Sequence, residues 1–254
     1  DNGGFGKTLK FPQPQIFDFL LSYHYQNPTS KALQMVEKSL NAIISGGIYD
    51  HIGGGIHRYS TEPTWTIPHF EKMLYDNALI VPVLIQCYTI TQNSKFKLAA
   101  LDILSYLEDE MMDPDTHLFF TAQDADTDGE EGKYYTWTKN CLSQKLNPDE
   151  LNTLEQNFEI TSEGNFENKT ILRYSTNNSN NGFLSLDPLI VKIRSKLKDL
   201  RSQKTRPFTD EKHITSWNSL ASQAFLLSYL HLGIEKHLKI ANENVKSILK
   251  ISEH

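Results

Sequence analysis

The sequence predicts an all-α protein built from antiparallel helical hairpins, and two observations support this prediction. Apolar residues recur at the spacing of one helix face through most of the 254-residue chain. The helical segments also come in pairs, with short turns inside each pair and longer polar connections between pairs. Hairpins packed side by side are the economical arrangement of such pairs. We therefore expect a ring or layered array with the functional site at one end, and an incomplete ring because the chain stops at the end of a helix.

The first half of the chain contains three well-marked helices. The candidate caps Thr29 and Ser30 are followed by an apolar stripe, which stops at Gly46 and Gly47. The stripe consists of Leu33, Val36, Leu40, Ile43 and Ile44. A longer helix is predicted over residues 70–91, with a kink or break near Pro82, since proline lacks a backbone N–H. Ser94 can cap the third helix, which ends at Asp113-Pro114 and faces inward with Ala100, Ile103, Leu104, Leu107 and Met111.

The second half alternates short and long elements. Residues 118–121 and 134–137 are strand-like and predict a β-hairpin around an acidic, glycine-bearing loop. Short helices are predicted over 139–146 and 148–157, and the low-complexity run 176–182 is expected to be a mobile loop. Helices return over 187–202, 213–231 and 234–251. The Lys and Arg residues between 192 and 206 are interpreted as a solvated helix face.

Composition excludes several function classes. The net charge of −6 and pI of about 5.8 give no overall basic field for nucleic acid. The sequence contains neither an apolar run of about 18 residues, as a membrane span requires, nor a secretory signal pattern at the N-terminus. Cys87 and Cys141 are far apart and form no metal-binding or disulfide motif. We therefore expect a cytoplasmic protein with reduced, structural thiols and with no metal or cofactor, and a fragment, because no Met begins the chain.

The run from residue 46 to 78 carries most of the chemistry. Gly53 to Gly55 permit positive φ and close backbone approach, and around them stand His51, His57, Arg58, Trp65 and Tyr75. If residues from 70 onward are helical, His69, Lys72 and Asp76 share one face. Such a face is either an acid/base set or an exposed set of salt bridges. The histidine spacing matches no zinc signature.

Two later segments repeat this mixture of charged and aromatic residues. In residues 123–134, Asp124, Asp126 and Asp128 fit the opening of a calcium loop, but Tyr135 stands where the bidentate Glu belongs. The alternatives are a solvated acidic turn, or Asp124 and Asp126 as pocket carboxylates on one side of an extended segment.

In residues 206–218, Thr215 or Ser216 can cap a helix whose first turn holds Trp217 and Asn218. The same segment is either a charged loop before that helix, or places Arg206, Asp210 and Lys212 against a polar ligand.

Taken together, these segments resemble a known family. The resemblance rests on five ordered blocks, which are Gly3–Gly6 with Lys10-Phe11-Pro12, residues 47–60, 68–78, 124–137 and 206–218. The chain resembles the thioredoxin-domain-containing proteins typified by the spermatogenesis-associated thioredoxin-like protein. Ser219 stands where the family usually has a glycine, and His213 where it has an apolar residue.

The resemblance implies a fold and an organisation. This chain, residues 1–254, would be a single domain similar to the α/α toroid of N-acylglucosamine 2-epimerases and six-hairpin glycosidases. The fold class is then all-α, an incomplete (α/α)6 toroid with small β-hairpins on one rim. The family's N-terminal thioredoxin-like domain and the last helices of the toroid would lie outside the chain. Because the ring is truncated, we expect apolar surface to be exposed and the chain to self-associate.

Two functional hypotheses follow. The first is a carbohydrate-active enzyme, glycosidase-like or epimerase-like, with a sugar-like ligand and no nucleic-acid or membrane partner. Its candidate acid and base are Asp76, Asp124 and Asp126, with His69 and His57 for epimerisation. The substrate-binding candidates are His51, Arg58, Trp65, Lys72, Tyr75, Trp137, Arg206, Asp210, Lys212, Trp217 and Asn218. The alternative is a non-catalytic ligand-binding or regulatory module attached to a thioredoxin-like domain.

Overall fold

A computed structural model describes residues 2–175, 184 and 187–252. The predicted loop 176–182 lies outside the described residues. The helices are α1 (Pro14–Gln26), α2 (Ala32–Ser45), α3 (Leu74–Thr91), α4 (Ser94–Glu110), α5 (Lys139–Lys145), α6 (Pro148–Asn157), α7 (Pro188–Ser202), α8 (Thr215–Leu232) and α9 (Glu235–Ser252). The strands have two residues each and are β1 (Tyr59–Ser60), β2 (Pro68–His69), β3 (Lys72–Met73), β4 (Ala122–Gln123), β5 (Asp126–Thr127), β6 (Glu130–Glu131) and β7 (Thr209–Asp210).

Helical hairpins form the body of the molecule. Helices α1 and α2, α3 and α4, and α8 and α9 pack as sequential pairs, and α3 also packs against α1 and α8. Helix α3 is apolar around most of its circumference and is buried among these partners, as a helix without a polar face must be. Helices α5, α6 and α7 enclose a second apolar cluster around Trp137 and Phe158. The expected hairpin architecture is confirmed.

The strands all lie in the connections between helices and bring distant segments together. Strand β3 pairs with β4, where Lys72 lies opposite Gln123, and β4 pairs with β7, where Ala122 lies opposite Asp210. The residues before α3, after α4 and before α8 therefore meet in one antiparallel sheet. Strands β1 and β2 form a separate pair, as do β5 and β6.

Several predicted boundaries are wrong. The long helix begins at Leu74 rather than at residue 70, because the preceding residues alternate between the two faces of a strand. It then continues through Pro82 to Thr91 without a break. Lys31 and not Thr29 or Ser30 precedes α2, and Asn93 rather than Ser94 caps α4 by accepting from the Lys95 N–H. Helix α1 was not predicted.

The predicted hairpin between residues 118–121 and 134–137 is also wrong. The hairpin is smaller and lies within the acidic loop, where Asp126 pairs with Glu131. The two strand-like segments find distant partners instead, since Phe119 bridges to Met112 and Trp137 bridges to Thr170. The helices predicted between residue 139 and residue 251 are confirmed to within two residues at each end. None of the helices described is long and apolar enough to span a bilayer.

The environments of the two cysteines predict how fast each thiol reacts with a thiol reagent. Both are free, Cys87 is fully buried in α3, and Cys141 is partly exposed. Burial also raises the pKa of Cys87 to about 12, so its thiolate is scarce at pH 8. A thiol reagent is therefore expected to modify one cysteine per folded chain quickly and the second only after unfolding in urea. Fast reaction of both thiols in buffer, or of neither in urea, would contradict this assignment.

Candidate functional site

Strand β3 divides the candidate residues into two groups. Along residues 69–72 the exposure alternates, so Phe70 and Lys72 are buried while His69 and Glu71 are partly exposed, the two-residue period of a strand. The predicted helical face of His69, Lys72 and Asp76 therefore does not exist. Lys72 points into the protein, whereas Glu71 lies at the accessible edge beside Arg58.

On the buried side, three charged residues form what we call the ion triad: Asp50, Lys72 and Arg201. Lys72 Nζ lies 2.7 Å from Asp50 Oδ2, and one guanidinium nitrogen of Arg201 lies 2.7 and 2.9 Å from the two oxygens of the same carboxylate. The Asp50 carboxylate also accepts the backbone N–H groups of Ile52 and Gly53 at 3.1 and 3.0 Å. The Asp50 carboxylate thus binds both cations and two backbone N–H groups of the loop before β1.

The glycines of this loop are required by close approach. A Cβ on Gly53 would overlap the guanidinium of Arg201, and Gly54 and Gly55 have φ of +80° and +79°. Lys72 donates a further hydrogen bond to the Gly54 carbonyl at 2.8 Å. The sequence-based expectation of positive φ is confirmed at Gly54 and Gly55, and that of close backbone approach at Gly53.

Aromatic rings enclose the triad. Lys72 Nζ lies 4.3 Å from the ring centroid of Tyr106 and 5.1 Å from that of Tyr135, and the Arg201 guanidinium carbon lies 4.9 Å from that of Tyr134, within cation–π range. Burial alone would raise the pKa of Asp50, but the charges of Arg201 and Lys72 hold it well below its usual range. The adjoining cavity has a volume of about 50 Å³, too small for a sugar ring.

On the accessible side lie six residues that we call the Arg58 cluster: Arg58, His69, Glu71, Tyr75, Asp76 and Trp217. Arg58 pairs with the Glu71 carboxylate at 2.8 Å and also hydrogen-bonds the Tyr75 hydroxyl. Tyr75 lies in the first turn of α3 and Trp217 in the first turn of α8, and their ring centroids lie 4.8 Å apart at an angle of 63°. The starts of two neighbouring helices therefore present two half-buried aromatic rings beside an ion pair.

Asp76 has the most unusual environment in the Arg58 cluster. It stands in the first turn of α3 with only 6% of its surface exposed, and its Oδ2 has no hydrogen-bond partner among the described residues. Burial raises the pKa of Asp76 to about 7, which the Arg58 charge opposes and the Glu71 charge reinforces. A carboxyl group with a pKa near neutrality can exist as the acid and give up its proton, as general acid catalysis requires.

The histidines fall into two environments. His69 donates from Nδ1 to the Glu131 carboxylate at 2.7 Å and stacks on Tyr59, at the edge of the Arg58 cluster. His57 and His51 are buried and donate to the carbonyls of Phe70 and Gly46 at 2.8 and 3.0 Å. Burial lowers the pKa of both buried rings to about 3.

His57 is therefore expected to remain neutral between pH 5 and pH 8. Its Nδ1 carries the proton because it faces a carbonyl, and protonation of the second nitrogen would place a charge beside Lys72 and Arg201. Nitrogen chemical shifts of the imidazole, assigned by comparison with a His57→Gln variant, measure this directly. Movement of the His57 signal through a midpoint near pH 6 would contradict the assignment.

The acidic loop is arranged as a turn. Asp124 and Asp126 are both exposed, and Asp124 Oδ1 accepts the Ala125 N–H at 2.7 Å. Asp128 pairs with Lys133 at 3.0 Å. No group of three or more His, Cys, Asp or Glu side chains within the described ranges is placed to hold a metal ion, so the calcium interpretation gains no support.

The other candidates belong to different parts of the structure. Trp65 is in the main core with its Nε1 bonded to the Asn2 carbonyl, and Trp137 belongs to the second apolar cluster. Asn218 is buried and bonds both the N–H and the carbonyl of Phe119, at 2.6 and 3.0 Å, which ties α8 to the loop after α4. Arg206 pairs with Glu110 at 2.9 Å, and Lys212 with Asp210 at 3.0 Å, both at the surface.

Four residues that shape the two groups were not among the candidates: Asp50, Glu71, Tyr135 and Arg201. Asp50 and Glu71 stand inside the glycine-rich run, so their position in that run is the signal that could have identified them. Arg201 belongs to the basic stripe of α7 that was interpreted as solvated, yet it is 5% exposed. The interpretation is wrong for this residue, and only its helix position relative to Ile190, Ile193 and Leu197, which are buried, could have indicated it.

Comparisons with known proteins agree with this fold. No family model matches the chain. Spermatogenesis-associated protein 20 of Homo sapiens is 30% identical over 279 residues, covering 96% of this chain and 35% of that protein. The Mus musculus protein is 31% identical with the same coverage, and an uncharacterized Caenorhabditis elegans protein is 30% identical, covering 98% and 38%. The chain thus spans about a third of the length of these relatives.

Solved structures with a similar fold include glycoside hydrolases. A family 76 glycoside hydrolase from a bovine Bacteroides thetaiotaomicron strain superposes with a TM-score of 0.56 at 13% identity, covering 95% of this chain and 35% of that one. An inactive α-1,6-mannanase variant of a Salegentibacter species, in complex with α-1,6-mannotriose, gives 0.55 at 13% identity, covering 94% and 46%. The chain is therefore homologous to a segment of spermatogenesis-associated protein 20, and its fold is that of part of an α/α toroid.

Proposed function

We propose that this chain belongs to a carbohydrate-active enzyme of the toroid type and that the Arg58 cluster is its site. The observation that carries the proposal is the Asp76 carboxyl group, which is buried, has an oxygen without a partner among the described residues, and lies beside two half-buried aromatic rings. Aromatic faces suit sugar rings, and a protonated carboxyl suits a glycosidic oxygen.

The chemistry divides between two carboxyl groups. Asp76 donates its proton to the leaving oxygen as the glycosidic bond breaks. Glu71, held beside the Arg58 guanidinium at 2.8 Å, acts as the carboxylate that removes a proton from the attacking water or stabilises the positive charge on the sugar. Arg58 also orients sugar hydroxyls, while Tyr75 and Trp217 form the wall against which the ring stacks. Asp124 and Asp126 are the proposed alternatives to Glu71 as the partner of Asp76, because they follow β4, which pairs with β3 just before α3.

The similar structures support the reaction class. They include a mannosidase of glycoside hydrolase family 76 from Bacteroides thetaiotaomicron and the mannanase in which replacing two aspartates by asparagine gives an inactive variant. An α-linked mannoside is therefore the first substrate to test. A cavity of about 320 Å³ between α1, α3 and α8 is large enough for a sugar. Its lining is mainly apolar and lacks a carboxyl pair, so we place the chemistry at the Arg58 cluster.

The experiment measures turnover of a panel of α-mannosides, including α-1,6-linked oligosaccharides, by release of reducing sugar. The Asp76→Asn variant is compared with Asp115→Asn, a matched change at an exposed position. The proposal predicts turnover by the wild type and by Asp115→Asn, and loss by about 10²-fold in Asp76→Asn. Activity that is equal in all three proteins would refute the role of Asp76.

A non-catalytic binding module is the second candidate function. It is favoured by the ion triad, whose charged groups bind one another and whose adjoining cavity of about 50 Å³ admits no sugar. Binding of a mannoside by calorimetry, unaffected by Asp76→Asn and without turnover under any condition tested, would select this candidate.

The organisation and location of the protein follow as proposals from the same resemblance. We propose that residues 1–254 are one toroid domain of a longer cytoplasmic protein that also carries a thioredoxin-like domain. Apolar side chains exposed on α1, α8 and α9 include Phe19, Leu230 and Leu249, and they support self-association of the isolated chain. Sedimentation at two protein concentrations tests that association.

A further inference from the structure

The ion triad carries more positive than negative charge. Asp50 is the single carboxylate that pairs with Lys72 and Arg201 in the described part of the chain. Glu110 and Arg206 face the same cavity but form their own pair at 2.9 Å, which adds no net charge. His57 is neutral at pH 7, since burial lowers its pKa to about 3. One buried positive charge is therefore left without a counter-charge, an expensive arrangement in a protein interior.

The adjoining cavity contains unused hydrogen-bond donors. It has a volume of about 50 Å³ and is lined by Lys72, Arg201, Tyr135 and Tyr106, among others. The Tyr135 hydroxyl and the Arg201 Nε are buried and have no hydrogen-bond partner among the described residues. Buried donors of this kind are rare unless a water or an ion accepts from them. The volume exceeds the ~15 Å³ that one water needs.

We propose that this cavity is a binding site for a small monovalent inorganic anion, of which chloride is the probe. The anion accepts hydrogen bonds from the Tyr135 hydroxyl and from Arg201 Nε, and its charge balances the second cation of the triad. This inference does not depend on the proposed sugar chemistry, because the triad and the Arg58 cluster lie on opposite sides of β3.

Burial lowers the pKa of Lys72 and the Asp50 charge opposes that shift; the proposed anion site requires that Lys72 is charged. Its Nζ donates to the Asp50 carboxylate at 2.7 Å and to the Gly54 carbonyl at 2.8 Å, and it lies over the Tyr106 ring at 4.3 Å. An ammonium group forms all three contacts favourably. If Lys72 were neutral, the triad would carry no excess charge and the cavity would hold water alone.

The direct test is a crystal of the protein soaked in sodium bromide and measured at the bromine absorption edge. We expect an anomalous peak in the cavity within about 3.5 Å of the Arg201 guanidinium or the Tyr135 hydroxyl. A cavity that shows only water density, with bromide confined to the exterior surface, overturns the proposal.

A solution test uses the melting temperature in sodium chloride against sodium gluconate at constant ionic strength. The wild type is expected to be stabilised by chloride in a saturable way, while Tyr135→Phe, which removes one hydroxyl donor, requires about 10-fold more chloride for the same effect. Tyr88→Phe, at a partly buried position in α3 beside Lys97 of α4, is the matched control and keeps the wild-type response. The same chloride dependence in Tyr135→Phe and the wild type overturns the assignment.

Discussion

Replacement of Asp50 by Asn is expected to lower the free energy of unfolding by about 3–5 kcal/mol, because it leaves two buried cations without their carboxylate. Lys72 and Arg201 have almost no exposed surface, so bulk solvent screens the stranded charges little. The Asn amide could still accept one hydrogen bond, but it would carry no charge. Urea unfolding followed by far-ultraviolet circular dichroism measures the change.

The control for this variant is Asp128→Asn, which also breaks a lysine pair. Asp128 and Lys133 are nearly half exposed, and exposed pairs contribute little, so the urea midpoint should stay close to that of the wild type. A second variant, Lys72→Met on the Asp50→Asn background, removes one of the stranded cations and should recover part of the loss. Equal midpoints for Asp50→Asn and Asp128→Asn would show that the triad does not stabilise the fold.

The Asp50 contribution has a defined pH dependence. The folded-state pKa of Asp50 is held well below its usual value, so the unfolded chain binds the proton more readily. The stabilisation is therefore fully present above the unfolded pKa, about 3.9, and is lost only as the pH falls through the lower folded value. Asp50→Asn should accordingly cost the same stability at pH 5 as at pH 8.

Replacement of Asp76 by Asn should have the opposite effect on stability. The folded pKa of about 7 lies above the unfolded value, about 3.9. The protonated carboxyl therefore favours the folded state fully below pH 4, and this contribution is lost as the pH rises through 7. At pH 8 the buried carboxylate destabilises the folded state, and its removal should raise the free energy of unfolding by a few kcal/mol. The same change should reduce turnover by about 10²-fold.

The combination of these two effects separates a functional acid from a structural one. If Asp76 merely held α3 in place, its replacement would lower the stability and the activity of the protein together. The stability difference between Asp76→Asn and the wild type should grow from pH 5 to pH 8, and Asp115→Asn should show no such trend. A variant that is less stable than the wild type at pH 8 would contradict the proposed environment of Asp76.

Periodicity predicted the helices well and the site poorly, for physical reasons. A helix such as α4 shows its burial pattern in its own sequence, and Ala100, Ile103 and Leu104 face inward as expected. The segment 69–73 changes period within a few residues, from a strand to a helix. The partner of its strand β3 is β4, which lies beyond helix α4, and β4 in turn pairs with β7. No local pattern contains that pairing, so His69, Lys72 and Asp76 were placed on one face, whereas Lys72 belongs to the buried ion triad and the other two to the Arg58 cluster.

The charged residues show the same limit. The acidic loop and the basic stripe of α7 both consist largely of charged residues, which are usually exposed. Asp126 is indeed exposed, yet Arg201 is buried against Asp50. Burial of a charge is decided by a partner that is distant in sequence, here 151 residues away. The glycine-rich run indicated where backbone and side chains approach closely, but not which cation would approach.

The most direct test of the account is the ionisation of Asp76 in the folded protein. The carboxyl carbon of Asp76, identified by its absence from the Asp76→Asn spectrum, can be followed by ¹³C NMR from pH 3 to pH 9. The account predicts a midpoint near 7, because burial disfavours the carboxylate, one oxygen of which has no hydrogen-bond partner among the described residues. A midpoint near 4, the value of an ordinary aspartate, would show that Asp76 is a carboxylate at neutral pH and cannot be the acid of a sugar-cleaving site.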